Sequence, residues 1–261
     1  MLALIAGNGA LPVHAAKALP DPPLVAAVEG TAPELPHDLT ASLNNLASLI
    51  EALRARGVTE LCFAGGMRRL GFDPAKVEPA SQPYIDRIVA AHRKGDDGAL
   101  RIILSIFEEA GFAIRAVQDI APDLLPPKGS ATGKAPSRDT AEAAAVADRI
   151  LAAMGAADIG QACVLNHGQP IAIESAFGTD WMLDSLRHRP DGKGGILFKS
   201  PKPGQDRRVD LPTIGPSTVQ GAAKAGLEGI VIEAGGVLAL DYKACVMAAD
   251  DAGMFLWVRP T

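Results

Sequence analysis

Leu2-Ala3-Leu4-Ile5-Ala6-Gly7-Asn8-Gly9-Ala10-Leu11-Pro12 opens the chain. The uninterrupted apolar run suits a strand buried on both faces, as in parallel sheets flanked by helices. It stops at Gly7-Asn8-Gly9, and the sequence from Leu11 to Leu19 reads as a helix. Strand, glycine turn and helix make up the first half of a βαβ unit.

The same alternation continues outward. Leu24-Val25-Ala26-Ala27-Val28 is a second buried strand. Between Ser42 and Arg56, Leu43, Leu46, Leu49, Ile50 and Leu53 fall at spacings of three and four, on one helical face, with Gly57 as the stop. Leu61-Cys62-Phe63-Ala64 is a third strand, closed by Gly65-Gly66. A helix is expected from Asp97 to Ala110 and a strand from Phe112 to Val117. This predicts an α/β fold: a Rossmann-like N-terminal domain with a parallel sheet, residues 1–125. Proline and glycine crowd between Pro122 and Pro136, which reads as a linker over 126–138. A second α/β domain follows over 139–261. Its first helix is expected to be capped at Asp139-Thr140-Ala141-Glu142. Strands are expected at Ala162–Asn166, Pro170–Ser175, Gly195–Lys199, Gly229–Glu233, Val237–Leu240 and Met254–Val258.

Composition narrows the function. The 261 residues are 48% apolar, enough for a substantial core, and carry a net charge of -5, which argues against bulk electrostatic binding to nucleic acid. The cysteines, Cys62, Cys163 and Cys245, are too far apart for a zinc or disulfide pattern and read as small buried hydrophobes. His14, His37, His92, His167 and His188 show no metal-ligand spacing, and no serine sits in a G-x-S-x-G elbow. No signal peptide or membrane-spanning run is expected, so the cytoplasm is the expected compartment.

Gly7-Asn8-Gly9 feeding a helix could bring backbone N–H groups to a phosphate. It falls short of G-x-G-x-x-G because Pro12 occupies the third glycine position, yet Glu29 ends the second strand where a ribose-binding acid would fall. An NAD(P)-dependent oxidoreductase is therefore the alternative reading. Gly65-Gly66-Met67-Arg68-Arg69 should emerge at the same sheet edge. Asp96 or Asp97 reads as a helix N-cap.

The densest chemistry lies between Glu174 and Gly215. Glu174, Gly178-Thr179-Asp180, Lys199 to Arg208 and Asp210 to Gly215 alternate acids with bases on a backbone stiffened by prolines. Carboxylates could take a hard cation, and Lys/Arg could take phosphate oxygens. This predicts phosphate-ester or phosphoanhydride chemistry; a charged, solvated loop is the plainer reading beside it.

At these residues the chain resembles the LpxI family, UDP-2,3-diacylglucosamine pyrophosphatases of lipid A biosynthesis. The resemblance is carried by Leu4-Ile5-Ala6-Gly7-x-Gly9-x-Leu11-Pro12, Gly95-Asp96-Asp97 and Asp158-Ile159-Gly160-Gln161-Ala162. It continues through Ala172-Ile173-Glu174, Gly178-Thr179-Asp180, Lys199 to Lys202, Gln205-Asp206-x-Arg208-x-Asp210-Leu211-Pro212-x-Ile214-Gly215 and Ala225-Gly226-Leu227-x-Gly229-Ile230. Phe177 departs from the pattern, where the family has Glu, and so does Met67, where it has a smaller aliphatic residue.

The resemblance implies a magnesium-dependent hydrolase yielding UMP and 2,3-diacylglucosamine 1-phosphate (lipid X). It also implies a homodimer, with transient contact at the inner-membrane surface through the lipid and no nucleic-acid partner. With the residue reading, it points to Asp210, Asp206, Glu174, Lys199 and Lys202 as catalytic. Asp206, Asp210 and Asp180 are the candidate Mg2+ ligands. Gly7, Gly9, Leu11, Pro12, Gly65, Gly66, Asp97, Gln161, Thr179 and Thr213 are the candidate substrate contacts.

Overall fold

The structure is a computed structural model that describes residues 1–67, 73–92, 96–190 and 192–260, with the backbone alone at 91, 92, 96 and 97. Arg68, Arg69, Gly95 and the side chains of His92, Asp96 and Asp97 therefore lie outside the described residues. The chain divides into two compact units, Met1–Pro122 and Asp123–Thr261.

The first unit is built on β1 (Leu2–Ala6), β2 (Leu24–Val28), β3 (Leu39–Ala41), β4 (Glu60–Ala64) and β5 (Ala113–Arg115). They form one sheet in the order β3-β2-β1-β4-β5, and every pairing is parallel. Crossovers run through α1 (Leu11–Ala18), α2 (Leu46–Ala55), α3 (Gln82–His92) and α4 (Asp96–Glu109), and a short α5 (Val117–Ile120) follows β5. Strand order reverses at β1, so the loops after β1 and β4 share the edge where open α/β sheets usually bind ligands.

Leu46, Leu49, Ile50 and Leu53 of α2 are all buried, as their spacing requires. Burial of each such side chain contributes about 2 kcal/mol. Cys62 is fully buried in β4, which pushes its thiol up to about 12. The expected strand over 112–117 shortens to three residues because the chain turns into α5 at Val117.

The second unit holds β6 (Gly129–Ser130), β7 (Ala162–Asn166), β8 (Gln169–Ile173), β9 (Ile196–Lys199), β11 (Gly229–Glu233) and β13 (Phe255–Arg259). Its sheet runs β6-β13-β11-β9-β7-β8. β9, β11 and β13 are parallel, and β6, β7 and β8 pair antiparallel. A separate parallel pair joins β10 (Thr213–Ile214) to β12 (Leu238–Ala239).

Side-chain alternation sorts the core into two layers. Leu197, Ile230, Ile232, Leu256 and Val258 pack with residues of α7 (Gly178–Ser185), α8 (Pro216–Lys224) and α9 (Tyr242–Asp251). Cys163, Phe198, Val231 and Phe255 pack with Ala144, Ala147, Leu151 and Met154 of α6 (Arg138–Ala156).

α6 is capped at Ser137, not Asp139. The Ser137 Oγ accepts from the Thr140 N–H, and the Thr140 Oγ1 accepts from the Ser137 N–H. A threonine hydroxyl thus does the reciprocal work expected of Glu142. The Pro/Gly-rich segment read as a linker contributes β6. The Thr132 Oγ1 accepts from the Leu256 N–H, and the Gly133 N–H donates to the Asp250 carboxylate.

Candidate functional site

In the first unit the two glycine loops are stitched to each other. Asn8 and Gly66 exchange both backbone hydrogen bonds, at 2.9 and 2.8 Å, and the Gly7 N–H donates to the Ala64 carbonyl. A Cβ on Gly7 would fall 2.6 Å from the Gly66 oxygen. One on Gly65, where φ is +94°, would fall 2.7 Å from the Asn8 oxygen and 2.9 Å from Pro12 Cγ. Glycine here allows backbone to meet backbone. Gly7, Gly65, Gly66 and Pro12 come together as expected, but the N–H groups of Gly7, Asn8 and Gly66 point at protein carbonyls. Gly9 (φ +90°) and half-buried Leu11 lead into α1. The Glu29 carboxylate accepts from the Ser42 hydroxyl and the Asn44 amide, so the group proposed to bind a ribose is already engaged within the fold.

In the second unit the structure collects Glu174, Thr179, Lys199 and the backbone of Gln161. Buried Lys199, the last residue of β9, donates from Nζ to the Thr179 Oγ1 at 2.7 Å. Thr179 in turn donates to the Glu174 Oε1 at 2.5 Å. The other carboxylate oxygen of Glu174 accepts from the Gln161 N–H at 2.7 Å. Gly160 fits against this acid, since a Cβ there would lie 2.7 Å from the Glu174 carbonyl oxygen.

Burial pushes the Lys199 ammonium below its usual 10.5, while the nearby charges of Glu174 and Asp180 hold it up. A hydroxyl has a single proton, and Thr179 spends it on Glu174. The order lysine, threonine, carboxylate is therefore fixed. Asp180 is exposed in the first turn of α7, where a negative charge suits the helix dipole.

Ser200, one residue beyond Lys199, belongs to the opposite face. There the carboxyl ends of β9, β11 and β13 frame a cleft of about 550 Å3, lined among others by Ser200, Lys202, Gln205, Arg207, Glu233 and Arg259. Its charges are braced. Lys202 Nζ pairs with the Asp158 carboxylate at 2.5 Å, Arg207 with Glu233 at 3.1 Å and Arg259 with Asp148 at 2.5 Å. The Lys202 N–H donates to the Gln205 Oε1, and the Gln205 amide donates to the Asp210 carboxylate and carbonyl. Asp206 accepts from the Arg208 N–H and pairs with its guanidinium at 2.8 Å. Thr213 lies in β10, half-buried.

The stretch is thus two assemblies, one on each face of the sheet. Lys199 and Lys202, both read as catalytic, diverge because Lys199 ends β9 on the α7 face, while Lys202 lies in the loop beyond it, seated against the last turn of α6. Asp148, Glu233 and Arg259 escaped the sequence reading because each reaches the site from a different element, and Asp158 was named only within the resemblance, with no role. Among the described residues no three His, Cys, Asp or Glu side chains converge on a metal position. Asp206, Asp210 and Asp180 therefore do not form a three-carboxylate cage. Asp206 and Asp210, in one loop beside the cleft, do match in kind the one or two carboxylates by which magnesium is held next to substrate phosphates.

A parallel, Rossmann-like first unit and a mixed-sheet second unit with a charge-lined cleft define a two-domain α/β protein. Residues 1–124 match the LpxI N-terminal domain and residues 127–257 the LpxI C-terminal domain, and the chain belongs to the LpxI family. A relative from Caulobacter vibrioides (strain ATCC 19089 / CIP 103742 / CB 15), UDP-2,3-diacylglucosamine pyrophosphatase LpxI, is 35% identical over 269 aligned residues, covering 98% of this chain and 96% of the relative. Neither match supports the oxidoreductase alternative.

Proposed function

We propose that this protein hydrolyses the pyrophosphate of UDP-2,3-diacylglucosamine to UMP and 2,3-diacylglucosamine 1-phosphate, within lipid A biosynthesis. The observation that carries the reading is the family match across both units, together with the reaction in the relative's name. The cleft at the carboxyl ends of β9, β11 and β13 agrees in chemistry. Lys202 and Arg207 lie where they could take the oxygens of a diphosphate, and Glu233 and Asp158 hold them in place until an anion arrives. The Lys199–Thr179–Glu174 chain supports the end of β9 from the other face.

Magnesium dependence forms part of the proposal, with Asp206 and Asp210 as the residues that would hold the ion. Bound there, it would neutralise phosphoryl charge and acidify a water molecule. The loop's own work is to present carboxylates beside cations: Gln205 orients Asp210, and Arg208 orients Asp206. Among the described residues no helix is long and apolar enough to cross a membrane; transient contact with the inner-membrane surface through the lipid is proposed from the family resemblance. A homodimer is proposed from the family resemblance alone.

The test is incubation with the UDP-diacyl sugar in oxygen-18 water, with and without EDTA. Release of UMP and the sugar phosphate, one of them labelled, is the expected result, stopped by EDTA and restored by magnesium. Ligand binding without turnover at saturating magnesium would make the protein a sensor and sink the reading.

A further inference from the structure

Asp158 breaks two local rules at once. It follows α6 in the left-handed region, with φ +53°. There it closes a Schellman motif: the Ile159 N–H donates to the Met154 carbonyl and the Asp158 N–H to the Gly155 carbonyl. α2, α4, α8 and α9 end in the same pair of bonds, and they place Gly57, Gly111, Gly226 and Gly253 at the equivalent position, all with positive φ. α6 therefore carries a β-carbon where its sister helices have none. It also carries a carboxylate at a helix C-terminus, where the dipole disfavours negative charge.

What the carboxylate obtains is Lys202. The Asp158 Oδ1 lies 2.5 Å from the Lys202 Nζ, both groups are largely shielded, and Lys202 lines the cleft. The backbone around Lys202 is seated by the same helix end. A Cβ on Gly155 would meet Pro203 Cδ at 2.7 Å and Lys202 Cβ at 3.2 Å, so the loop rests directly on the last turn of α6. A conformation against local preference, kept together with a specific charge partner beside a cleft, is the pattern of strain retained for function.

We propose that Asp158 is a positioning residue. It holds the Lys202 ammonium in the cleft for a phosphate oxygen of the substrate and acts only through Lys202. This rests on the pyrophosphatase reading for the identity of the substrate.

The test compares wild type, Asp158→Asn, Asp158→Gly, Lys202→Met and the double variant Asp158→Asn with Lys202→Met. Asparagine and glycine both tolerate the left-handed region, so the end of α6 should keep its conformation and the variants should fold, with melting temperatures lowered no further than in Lys202→Met. The value of kcat/KM should nevertheless fall by about 10- to 100-fold in both single Asp158 variants. In the Lys202→Met background, Asp158→Asn should add nothing. Wild-type kcat/KM in Asp158→Asn, or a loss that persists at full size without Lys202, overturns the proposal while wild-type turnover leaves the reading standing. If wild type does not turn over the UDP-sugar, the reading fails, and titration calorimetry with inorganic pyrophosphate decides the proposal. Equal weakening by Lys202→Met and Asp158→Asn upholds it, and indifference to either substitution defeats it.

Discussion

The two units solve the same problem, a fixed loop edge at the ends of parallel strands, in opposite ways. The first fixes its edge mainly with backbone: Gly7, Asn8, Gly65 and Gly66 interlock through main-chain hydrogen bonds, and the Asn8 Oδ1 accepts from the Ala32 N–H. The second fixes its edge with side chains: Lys199, Thr179 and Glu174 on one face, and Lys202, Asp158, Arg207 and Glu233 on the other. A backbone edge is sensitive to an added atom and indifferent to charge. The side-chain edge is sensitive to charge, and at Gly155 and Gly160 to an added atom as well. Loss of a buried charge partner therefore threatens the second edge and not the Gly–Gly contact of the first.

The largest effect is expected at Glu174. Glu174→Ala leaves the buried Lys199 ammonium without its acid and should cost about 3–5 kcal/mol in denaturant unfolding. A loss within about 1 kcal/mol would mean that the ammonium is paired elsewhere. Next comes Lys202→Met, expected to lower kcat/KM about 100-fold while shifting stability by no more than about 1 kcal/mol. The first unit should respond to bulk instead. Gly65→Ala should cost about 1–3 kcal/mol, because a Cβ 2.7 Å from the Asn8 oxygen forces backbone to move and φ is already +94°. Thr179→Val should cost about 1–2 kcal/mol through two lost hydrogen bonds, with Thr179→Ser close to wild type.

The smallest effect is a pH slope. Burial lowers the folded-state pKa of Lys199 below 10.5. As pH rises from that lowered value to the unfolded one, the unfolded chain holds more protons than the folded chain, so this residue makes stability increase with pH. Cys62 and Cys163, each raised to about 12, act in the opposite direction above their usual 9.0. The difference between wild type and Lys199→Met, which cancels the cysteines, should therefore carry a positive slope below pH 10.5. A flat difference would mean that the lysine titrates alike in both states.

Much of this fold was legible because burial on both faces writes itself as unbroken apolar strands. β1, β2, β4 and β7 follow directly from Leu2–Ala6, Leu24–Val28, Leu61–Ala64 and Ala162–Asn166. α3 was not foreseen, nor was α7. The acid–base stretch signalled chemistry but not its partition. Strand alternation was enough to separate Lys199 from Ser200, yet nothing local announces that Thr179, twenty residues earlier, is the hydroxyl that Lys199 meets. Asp158 carried a signal that could have been read: a helix whose C-terminal left-handed position holds an acid where glycine is usual.

β6 has a practical bearing on how the second unit can be made in isolation. Its two residues cover the outer edge of β13, and Thr132 and Gly133 fasten the following turn to the rest of the unit. A fragment begun at Asp139 would leave the flank of Phe255–Arg259 bare, an open row of amide and carbonyl groups of the kind on which chains stack into aggregates. Begun at Asp123, the fragment keeps that flank sealed by a proline-bordered stub too short to recruit a neighbour.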